Sequence, residues 1–273
     1  MKISIITPVK NRVDYIEKCI NSVASQTHDN YEHIIVDGES SDGTCDIILN
    51  AINNGNTKIK YLSELDSSPG EAWNKGIQMV TGDVIGWLGA DDSFVDANVL
   101  DFVATFYKNN NDICVVYGGC NFINTGNQLC GTSEDYNHNI NKLLNRINYI
   151  PATSLFAKRV VFEKVGELDL YGNDFDYVLR IAKKFTIVPV NKILSNFMLA
   201  TDSETGDFRK YTKVLKLDWH VSKKHGGHYF NTYHIRYILF AIASLIGLSD
   251  ILNILRNKRK GNNKVRPNFR TAT

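Results

Sequence analysis

Residues 84–94 read VIGWLGADDSF, and this stretch contains the strongest indication of the fold. A run of apolar residues suited to a buried strand ends abruptly on two adjacent carboxylates, Asp91 and Asp92. Neighbouring like charges repel each other unless a cation stabilises them. The stretch therefore predicts either a solvated turn in which a carboxylate caps the next helix, or a cation site at the end of a buried strand.

The segments around this stretch alternate between strand patterns and helix patterns. Strand patterns occur at 3–9, 31–37, 57–64, 83–88 and 112–119, and helical spacing of apolar residues occurs between them, at 14–26, 42–52, 70–80 and 96–109. Alternating units of this length predict an α/β fold. We expect a mostly parallel sheet with helices on both faces and right-handed crossovers.

In such a sheet, ligands bind beyond the carboxyl ends of the strands. Polar and acidic residues follow each of the first four strands: Pro8 and Asn11, then Asp37 and Glu39, then Glu64 and Asp66, then Asp91 and Asp92. Carboxylates gathered at one edge are unfavourable for stability, but they suit a metal–phosphate site, because Mg²⁺ and Mn²⁺ prefer oxygen ligands. The edge is therefore the predicted active site.

Length and composition narrow the class of protein. The 273 residues, 43% of them hydrophobic and 22% charged, are typical of a soluble globular protein. The five cysteines are odd in number, lie mostly in apolar segments and form no CxxC pair, which favours a reduced, cytoplasmic setting. The seven histidines show no metal-ligand spacing. The motifs GxGxxG and GxxxxGKS/T do not occur, which argues against a dinucleotide oxidoreductase and a P-loop nucleotidase.

Five stretches resemble the family 2 glycosyltransferases, which are inverting enzymes with a GT-A fold. They are SIITPVKNR (4–12), IIVDGESSDGT (34–44), SELDSSPGEAWNKGI (63–77), TGDVIGWLGADD (81–92) and VFEKVGELDLYGNDFDYVLRIAKK (161–184). Each motif alone is weakly specific, but five in the family's order are a strong indication. The tract 63–77 is most similar to enzymes that build bacterial surface polysaccharides.

The resemblance implies roles for individual residues. Pro8 and Asp37 would hold the uridine end of a UDP-sugar, and Asp66 would contact the nucleotide. The segment GAD (89–91) takes the place of the family's DxD motif, so that Asp91 would bind Mn²⁺ or Mg²⁺ at the diphosphate. Asp174 matches the carboxylate that removes a proton from the acceptor hydroxyl.

The chain departs from the family pattern at two glycines near the predicted site. Gly38 replaces a second aspartate, so that recognition of the base rests on fewer groups, with Glu39 as a substitute. Gly89 replaces the first DxD aspartate, which leaves Asp91 and Asp92 as the metal ligands. Neither change removes the metal carboxylate or the base.

Several residues have a second interpretation. Asp174 is either the base or the N-cap of the following helix, and Asp176 is the rival base. Asn74 and Lys75, on the predicted helix at 70–80, face either the phosphates or solvent. Trp73 and Trp87 belong either to the core or to a sugar site.

The C-terminal third has a different character. Residues 208–226 predict a polar amphipathic helix, and 237–255 are mostly apolar but broken near 247–250, which favours two short helices over a membrane-spanning one. Residues 256–273 carry seven basic and no acidic residues, whereas the rest of the chain has 24 basic and 29 acidic residues. An apolar helical segment followed by a basic tail predicts peripheral contact with an anionic membrane. The alternatives are packing on the catalytic core or on another copy in a homo-oligomer. Nucleic acid is disfavoured, because the tail has no interleaved aromatic residue beyond Phe269.

These observations predict a GT-A catalytic domain at 1–205, with a nucleotide-sugar half at 1–118 and an acceptor half at 119–205, followed by a helical region at 206–273. We expect a metal-dependent inverting hexosyltransferase that moves a sugar from a UDP-sugar to a hydroxyl of a saccharide or lipid-linked saccharide, in the cytoplasm at the inner face of the cell membrane. One alternative is a sugar nucleotidyltransferase, although its glycine-rich loop is absent. The other is an inactive scaffold subunit, which the loss of a DxD aspartate favours.

Overall fold

A computed structural model describes residues 1–145, 148–169, 174–199 and 208–245. Its first part alternates between strands and helices, in the order β1 (Ile3–Val9), α1 (Ile16–Ala24), β2 (Tyr31–Asp37), α2 (Thr44–Asn53), β3 (Ile59–Ser63), α3 (Pro69–Met79) and β4 (Val84–Trp87). Each element coincides, within a few residues at its ends, with a segment that the apolar periodicity predicts. The predicted α/β alternation is therefore confirmed.

The first four strands form a parallel block in the order β3-β2-β1-β4. Strand β1 lies in the middle, so that Ile6 is paired with Ile34 on one side and with Trp87 on the other. The chain reverses direction across the sheet after β3. Because crossovers are right-handed, this reversal places α1 and α2 on one face of the sheet and α3 on the other. Helix α1 accordingly packs against α2, whereas α3 packs against β1 and β2.

The remaining elements extend the sheet with antiparallel strands. They are β5 (Ser93–Phe94), α4 (Val99–Asn109), β6 (Val115–Ile123), β7 (Leu129–Ser133), α5 (Ile140–Asn145), β8 (Leu155–Lys158), α6 (Arg159–Val165), α7 (Asp174–Lys184), β9 (Ile187–Met198), α8 (Phe208–Lys224) and α9 (Thr232–Leu245). Strand β8 lies between β4 and β6 and is antiparallel to both. The full order is β3-β2-β1-β4-β8-β6-β9-β5, with β7 paired to β6.

A continuous hydrophobic core lies between the sheet and the helices on the α1 face. Ile5 of β1, Ile20 of α1, Val103 of α4 and Phe156 of β8 are all buried in this cluster. Tyr107 of α4 extends the packing with a polar contact, since its buried hydroxyl donates a hydrogen bond to the Phe156 carbonyl over 2.8 Å. The core holds β1 and β4 rigidly and so fixes the loops that follow them.

The chain divides into two compact units. Unit 1 comprises Met1–Cys120 and Ile150–Phe197, and unit 2 comprises Asn121–Tyr149 and Met198–Thr273. Within unit 2, the Tyr233 hydroxyl donates to the Leu143 carbonyl over 2.7 Å, which ties α9 to α5. The domain boundaries near 118 and 205 stay predictions from the sequence.

Helices α8 and α9 lie in the region that the sequence predicts to be helical. No helix in the described part of the chain is long and apolar enough to cross a membrane. Helix α9 begins at Thr232, earlier than the apolar segment predicted to begin at 237. The end of that segment and the basic residues of 256–273 lie outside the described residues.

Candidate functional site

The carboxyl ends of the parallel strands are joined to one another by backbone hydrogen bonds. The amide of Gly38 donates to the carbonyl of Val9, and the amide of Glu64 donates to the carbonyl of Asp37, each over 2.9 Å. The turns after β1 and β2 contain two non-glycine residues with left-handed backbone angles, Asn11 (φ 52°) and Glu39 (φ 57°). A left-handed backbone is common for asparagine but unusual for glutamate, so the second turn is strained at its exposed residue.

Asp37 ends β2 and is fully buried. Its carboxylate accepts hydrogen bonds from the Ser40 amide (3.1 Å), the Ser63 hydroxyl (2.9 Å), the Cys45 thiol (3.1 Å) and the Ser40 hydroxyl. Burial acts to raise the pKa of Asp37, but these hydrogen bonds outweigh it and hold the pKa below its ordinary value. Asp37 is therefore an ionised group that shapes the turn at 37–40.

Asp66 fills the space beside Gly38. A Cβ atom at Gly38 would overlap Oδ2 of Asp66 and lie 2.9 Å from its Cγ. Burial raises the pKa of Asp66, while the positive charges of Lys10 and Lys75 act in the opposite direction. Lys75 also donates to the Leu65 carbonyl over 2.8 Å, so it holds the loop that carries Asp66. A carboxylate thus stands beside Gly38 although residue 38 itself has no side chain.

A carboxylate also occupies the space beside a glycine at the end of β4. A Cβ atom at Gly89 would lie 2.5 Å from Oδ2 of Asp92 and 3.2 Å from Oδ1 of Asp91. Arg12 lies against this pair, with its Nε 3.9 Å from Oδ2 of Asp91. Burial lowers the pKa of Lys18, and the charge of Asp92 acts to raise it. Two cationic side chains of the β1–α1 region therefore offset the repulsion between the adjacent carboxylates.

These carboxylates meet the modest requirements of a divalent cation that also binds a diphosphate. Within the described ranges, no three or more His, Cys, Asp or Glu side chains are grouped so that they could hold a metal ion. A Mg²⁺ or Mn²⁺ ion bound to phosphates needs only one or two carboxylates, because phosphate oxygens and water supply its other ligands. Asp91 fits this role, since its side chain is 20% exposed, whereas Asp92 is only 4% exposed and turned towards Gly89.

The cations at this edge were not among the residues predicted from the sequence. Lys10 and Arg12 follow β1 directly, in the stretch KNR at 10–12, and both act on the carboxylates through space. They could have been predicted, because the turn after the first strand lies at the same edge of the sheet as the acidic turns. Basic residues in that turn therefore lie near the carboxylates.

Asp174 is the first residue of α7 and lines a small, mostly apolar cavity of about 20 Å³. Its walls include Trp73, Trp87 and Phe162. The two indole rings are stacked, with centroids 4.3 Å apart and an interplanar angle of 16°. Burial raises the pKa of Asp174. A carboxylate with a raised pKa is a stronger base than an ordinary aspartate, which suits proton removal from a hydroxyl.

Asp176 is held in an ion pair instead. It is 1% exposed, and its Oδ2 accepts a hydrogen bond from Nε of Arg180 over 2.8 Å. This pairing stabilises the ionised carboxylate and fixes Arg180. The geometry favours Asp174 over Asp176 as the candidate base.

Asn74 is engaged by the protein itself. Its Nδ2 donates to the Leu168 carbonyl and its Oδ1 accepts from the Leu168 amide, each over 2.9 Å. Asn74 therefore contacts Leu168, and Lys75 contacts Leu65. The other predicted nucleotide-binding residues lie in or directly after the strand ends: Pro8, Asn11, Glu39 and Asp66.

A larger open groove of about 540 Å³ lies on the opposite, α1 face of the sheet. Lys18 and Ser22 of α1 line it together with Asp96 and Asn196. It is separated by the sheet from α3 and from the tryptophan stack. We therefore place the candidate active site at the strand ends and not in this groove.

A strand edge with acidic turns on a sheet of this topology defines the class of the protein as a GT-A-type transferase fold. Comparison with known proteins agrees: the model of the family described as "Glycosyl transferase family 2" matches residues 4–166. The chain therefore belongs to glycosyl transferase family 2 and is a glycosyltransferase.

The chain is also similar to individual members. A "PGL/p-HBAD biosynthesis glycosyltransferase" of Mycobacterium bovis is 30% identical over 180 residues, which are 65% of this chain and 68% of that protein. TarS of S. aureus shares the fold with a TM-score of 0.60 and 18% identity; the match covers 81% of this chain but only 39% of TarS. Residues 1–349 of TarS have been solved with UDP-GlcNAc. The mannosyltransferase PcManGT of Pyrobaculum calidifontis, solved with GDP-Man and Mn²⁺, has a TM-score of 0.66 and 14% identity over 96% of this chain and 76% of its own.

Proposed function

We propose that the protein is a metal-dependent, inverting glycosyltransferase that moves a sugar from a UDP-sugar to a hydroxyl of a saccharide or lipid-linked saccharide during synthesis of a bacterial surface polysaccharide. The observation that carries this proposal is the placement of two different carboxylates around the end of β4. Asp91 follows β4 and is partly exposed. Trp87, at the end of β4, lines the cavity that also contains Asp174. The proposed cation site and the proposed base are therefore both associated with the carboxyl end of β4.

The chemistry follows from these positions. Asp174 accepts the proton of the acceptor hydroxyl, and the oxygen attacks the anomeric carbon from the face opposite the leaving UDP. A single displacement of this kind inverts the anomeric configuration. A divalent cation held by Asp91, with Asp92 behind it, would supply positive charge at the diphosphate. Arg12 and Lys10 add positive potential at the same edge, which stabilises the charge that develops on UDP.

The nucleotide end of the donor belongs to the turns after β1, β2 and β3. Pro8 and Asn11 form one wall, and the ordered turn of Asp37 and Glu39 forms the other. Asp66 supplies the free carboxylate beside Gly38, which is suited to accept a hydrogen bond from an N–H of the base. The TarS complex with UDP-GlcNAc supports a uridine nucleotide, whereas PcManGT was solved with a guanosine nucleotide.

The test is nucleotide release from a panel of donors. The purified protein is incubated with UDP-glucose, UDP-galactose, UDP-N-acetylglucosamine and GDP-mannose, with Mn²⁺, Mg²⁺ or EDTA, and free nucleotide is measured. We expect slow metal-dependent release of UDP from at least one UDP-sugar and none from GDP-mannose. Release that is unaffected by EDTA, or confined to GDP-mannose, contradicts the proposal.

An inactive scaffold subunit is the second candidate, because Gly89 lacks a carboxylate. Its expected signature is metal-dependent UDP binding without turnover on any donor. The position of Asp92 against Gly89 argues for an active site, since a second carboxylate is retained there.

We also propose peripheral contact with an anionic membrane at its cytoplasmic face. Four aliphatic residues at helical spacing form the outer face of α9 and are 40–55% exposed: Ile235, Ile238, Leu239 and Ile242. Phe230, just before this helix, is 76% exposed. An aliphatic stripe on a helix suits insertion between lipid head groups, and the basic residues of 256–273 would add attraction to anionic lipid.

A further inference from the structure

The chain at the end of α6 has backbone carbonyls that are bound by side chains. Residues 165–168, here called the 165–168 turn, include Gly166 with a left-handed φ of 82°. Four successive carbonyls of this turn accept side-chain hydrogen bonds: Val165 from Arg180 (3.1 Å), Gly166 from Tyr177 (3.1 Å), Glu167 from Arg180 (2.8 Å) and Leu168 from Asn74 (2.9 Å). Because all four carbonyls of residues 165–168 are bound in this way, the 165–168 turn has one preferred conformation.

Three of these four bonds come from α7 itself. Arg180 donates two of them, and its own orientation is fixed by the buried carboxylate of Asp176 and by stacking on the Tyr177 ring, with the guanidinium carbon 4.7 Å from the ring centroid. These bonds fold the turn back onto the helix that follows it. They do not connect the turn or α7 to the sheet.

Asn74 connects the 165–168 turn to α3, the helix that covers this face of the sheet. It belongs to α3, which packs on β1 and β2, and it lies 94 positions from Leu168 in the sequence. Its amide uses both of its ends on one residue, since it donates to the Leu168 carbonyl and accepts from the Leu168 amide. A two-point bond of this kind fixes direction as well as distance.

Trp73, the residue before Asn74 on α3, links the Asn74 bonds to the cavity that contains Asp174. Trp73 is 2% exposed and lines the cavity that also contains Asp174. We propose that Asn74 is a positioning residue for Asp174: by binding Leu168, it holds against α3 the 165–168 turn to which Tyr177 and Arg180 of α7 are bonded, and so sets the place of the Asp174 carboxylate beside the Trp73–Trp87 stack. This inference rests on the proposed role of Asp174 as the base.

A residue that acts in this way affects the reaction without touching a substrate. Displacing a catalytic group by about 1 Å can cost roughly a hundredfold in rate. The nucleotide subsite at the ends of β1–β3 is built by other residues. Loss of the Asn74 bonds is therefore expected to lower kcat and to leave the KM for the donor unchanged.

The test is a double-mutant cycle on release of UDP from the UDP-sugar that the wild-type protein consumes fastest. The proteins are wild type, Asn74→Ala, Asp174→Asn and the double variant, and thermal melting confirms that each is folded. We expect Asn74→Ala to lower kcat by roughly 10- to 100-fold, with the KM for the donor within about twofold of wild type. In the Asp174→Asn background, Asn74→Ala should lower kcat by less than about twofold, because the base that Asn74 positions has already been removed.

The matched control is Gln78→Ala, an exposed residue one turn further along α3, which should leave kcat unchanged. If Asn74→Ala does not fold, the cycle is run with Asn74→Asp, which keeps the shape and the acceptor for the Leu168 amide but cannot donate to its carbonyl. Two outcomes overturn the inference while the base assignment stands: an equal loss in both backgrounds, or a loss that lies wholly in KM. Full activity of Asp174→Asn overturns the base assignment itself and the role of Asn74 with it.

Discussion

At the scale of single residues, Asp174 and Asp176 offer a direct separation of chemistry from structure. We expect Asp174→Asn to leave the affinity for UDP-sugar almost unchanged and to cut transfer by roughly 10²-fold or more, because an amide cannot accept the proton. Asp176→Asn should instead lower the melting temperature, since Arg180 loses its buried partner. Steady-state kinetics and thermal melting of both variants check this. The opposite pattern would identify Asp176 as the base.

Asp91 is the residue on which metal dependence is expected to rest. Asp91→Ala should abolish transfer and make UDP binding equally strong with Mn²⁺ and with EDTA, because it removes the exposed carboxylate at the end of β4. Isothermal titration of UDP in the two conditions measures the difference. A variant that still turns over and still binds UDP better with Mn²⁺ would show that the metal assignment is wrong.

The residues of the site could be predicted in part. Strand ends are visible in the amino-acid pattern, so the sequence alone places Asp37, Asp66 and Asp91 at one edge of the sheet. What fills the space beside a glycine could not be seen. The carboxylate of Asp66 occupies the volume next to Gly38 only because the loop after β3 turns back across the end of β2, and a local sequence pattern contains no information on such a contact.

At the scale of elements, one buried glutamate joins the amino ends of the parallel strands. Glu32 of β2 is 3% exposed and accepts hydrogen bonds from the Ser4 hydroxyl of β1 (2.6 Å) and the Thr81 amide before β4 (2.6 Å). Lys2 and Lys60 lie 2.6 and 2.9 Å from its Oε2. Burial acts to raise the pKa of Glu32, but the hydrogen bonds from Lys2, Ser4, Thr81 and Lys60 hold it well below its ordinary value.

The depressed pKa gives the network a defined pH dependence. The unfolded chain binds a proton at Glu32 near pH 4.3, whereas the folded chain binds it only at lower pH. The stabilisation is therefore present above about pH 4.3 and is lost as pH falls below it. Glu32→Gln should destabilise the protein by about 1–3 kcal/mol at pH 7.

Thermal melts of wild type and Glu32→Gln between pH 7 and pH 3 measure this effect. The difference in melting temperature should shrink as pH falls below about 4.3. Glu134→Gln, at an exposed position outside any helix or strand, is the control and should show little difference at any pH. A constant difference for Glu32→Gln across the range would contradict the assignment.

Most elements could be predicted from the sequence because their apolar residues follow the period of a strand or a helix and the two kinds of segment alternate along the chain. Strand β8, with the sequence LFAK, could not, since it lies outside that alternation and enters the sheet between β4 and β6 through long-range pairing. The strand predicted at 112–119 exists as β6, and its pairing with β8 was not predicted. Register between distant segments depends on tertiary packing and not on local periodicity.

At the scale of the whole molecule, charge and exposed apolar surface predict behaviour at membranes. We expect the full chain to pellet with vesicles of phosphatidylglycerol and phosphatidylcholine at low salt and to be released as salt rises, because exposed charges are screened over about 8–10 Å near physiological ionic strength. Ile238→Asp and deletion of 256–273 should each weaken pelleting. Transfer to a soluble acceptor should survive both changes.

Leu49→Asp is the matched control, since Leu49 of α2 is 43% exposed and Ile238 is 40% exposed. It should pellet like wild type. Sedimentation analysis of the same proteins separates the alternatives, because a change from dimer to monomer in Ile238→Asp identifies the outer face of α9 as an oligomer contact. Equal pelleting of all variants, or of none, contradicts the membrane proposal.

The stack of Trp73 and Trp87 gives the enzyme an optical reporter of its own. The chain has three tryptophans, and two of them lie 4.3 Å apart on the wall of the Asp174 cavity. Electronic transitions of two indoles at this distance couple, so the pair contributes a distinctive near-ultraviolet circular dichroism and a quenched emission. With Trp219→Phe, all tryptophan fluorescence comes from this pair. A donor or acceptor that binds beside the pair changes the polarity around the indoles, so we expect that binding can be followed by intrinsic fluorescence, without a label and without turnover.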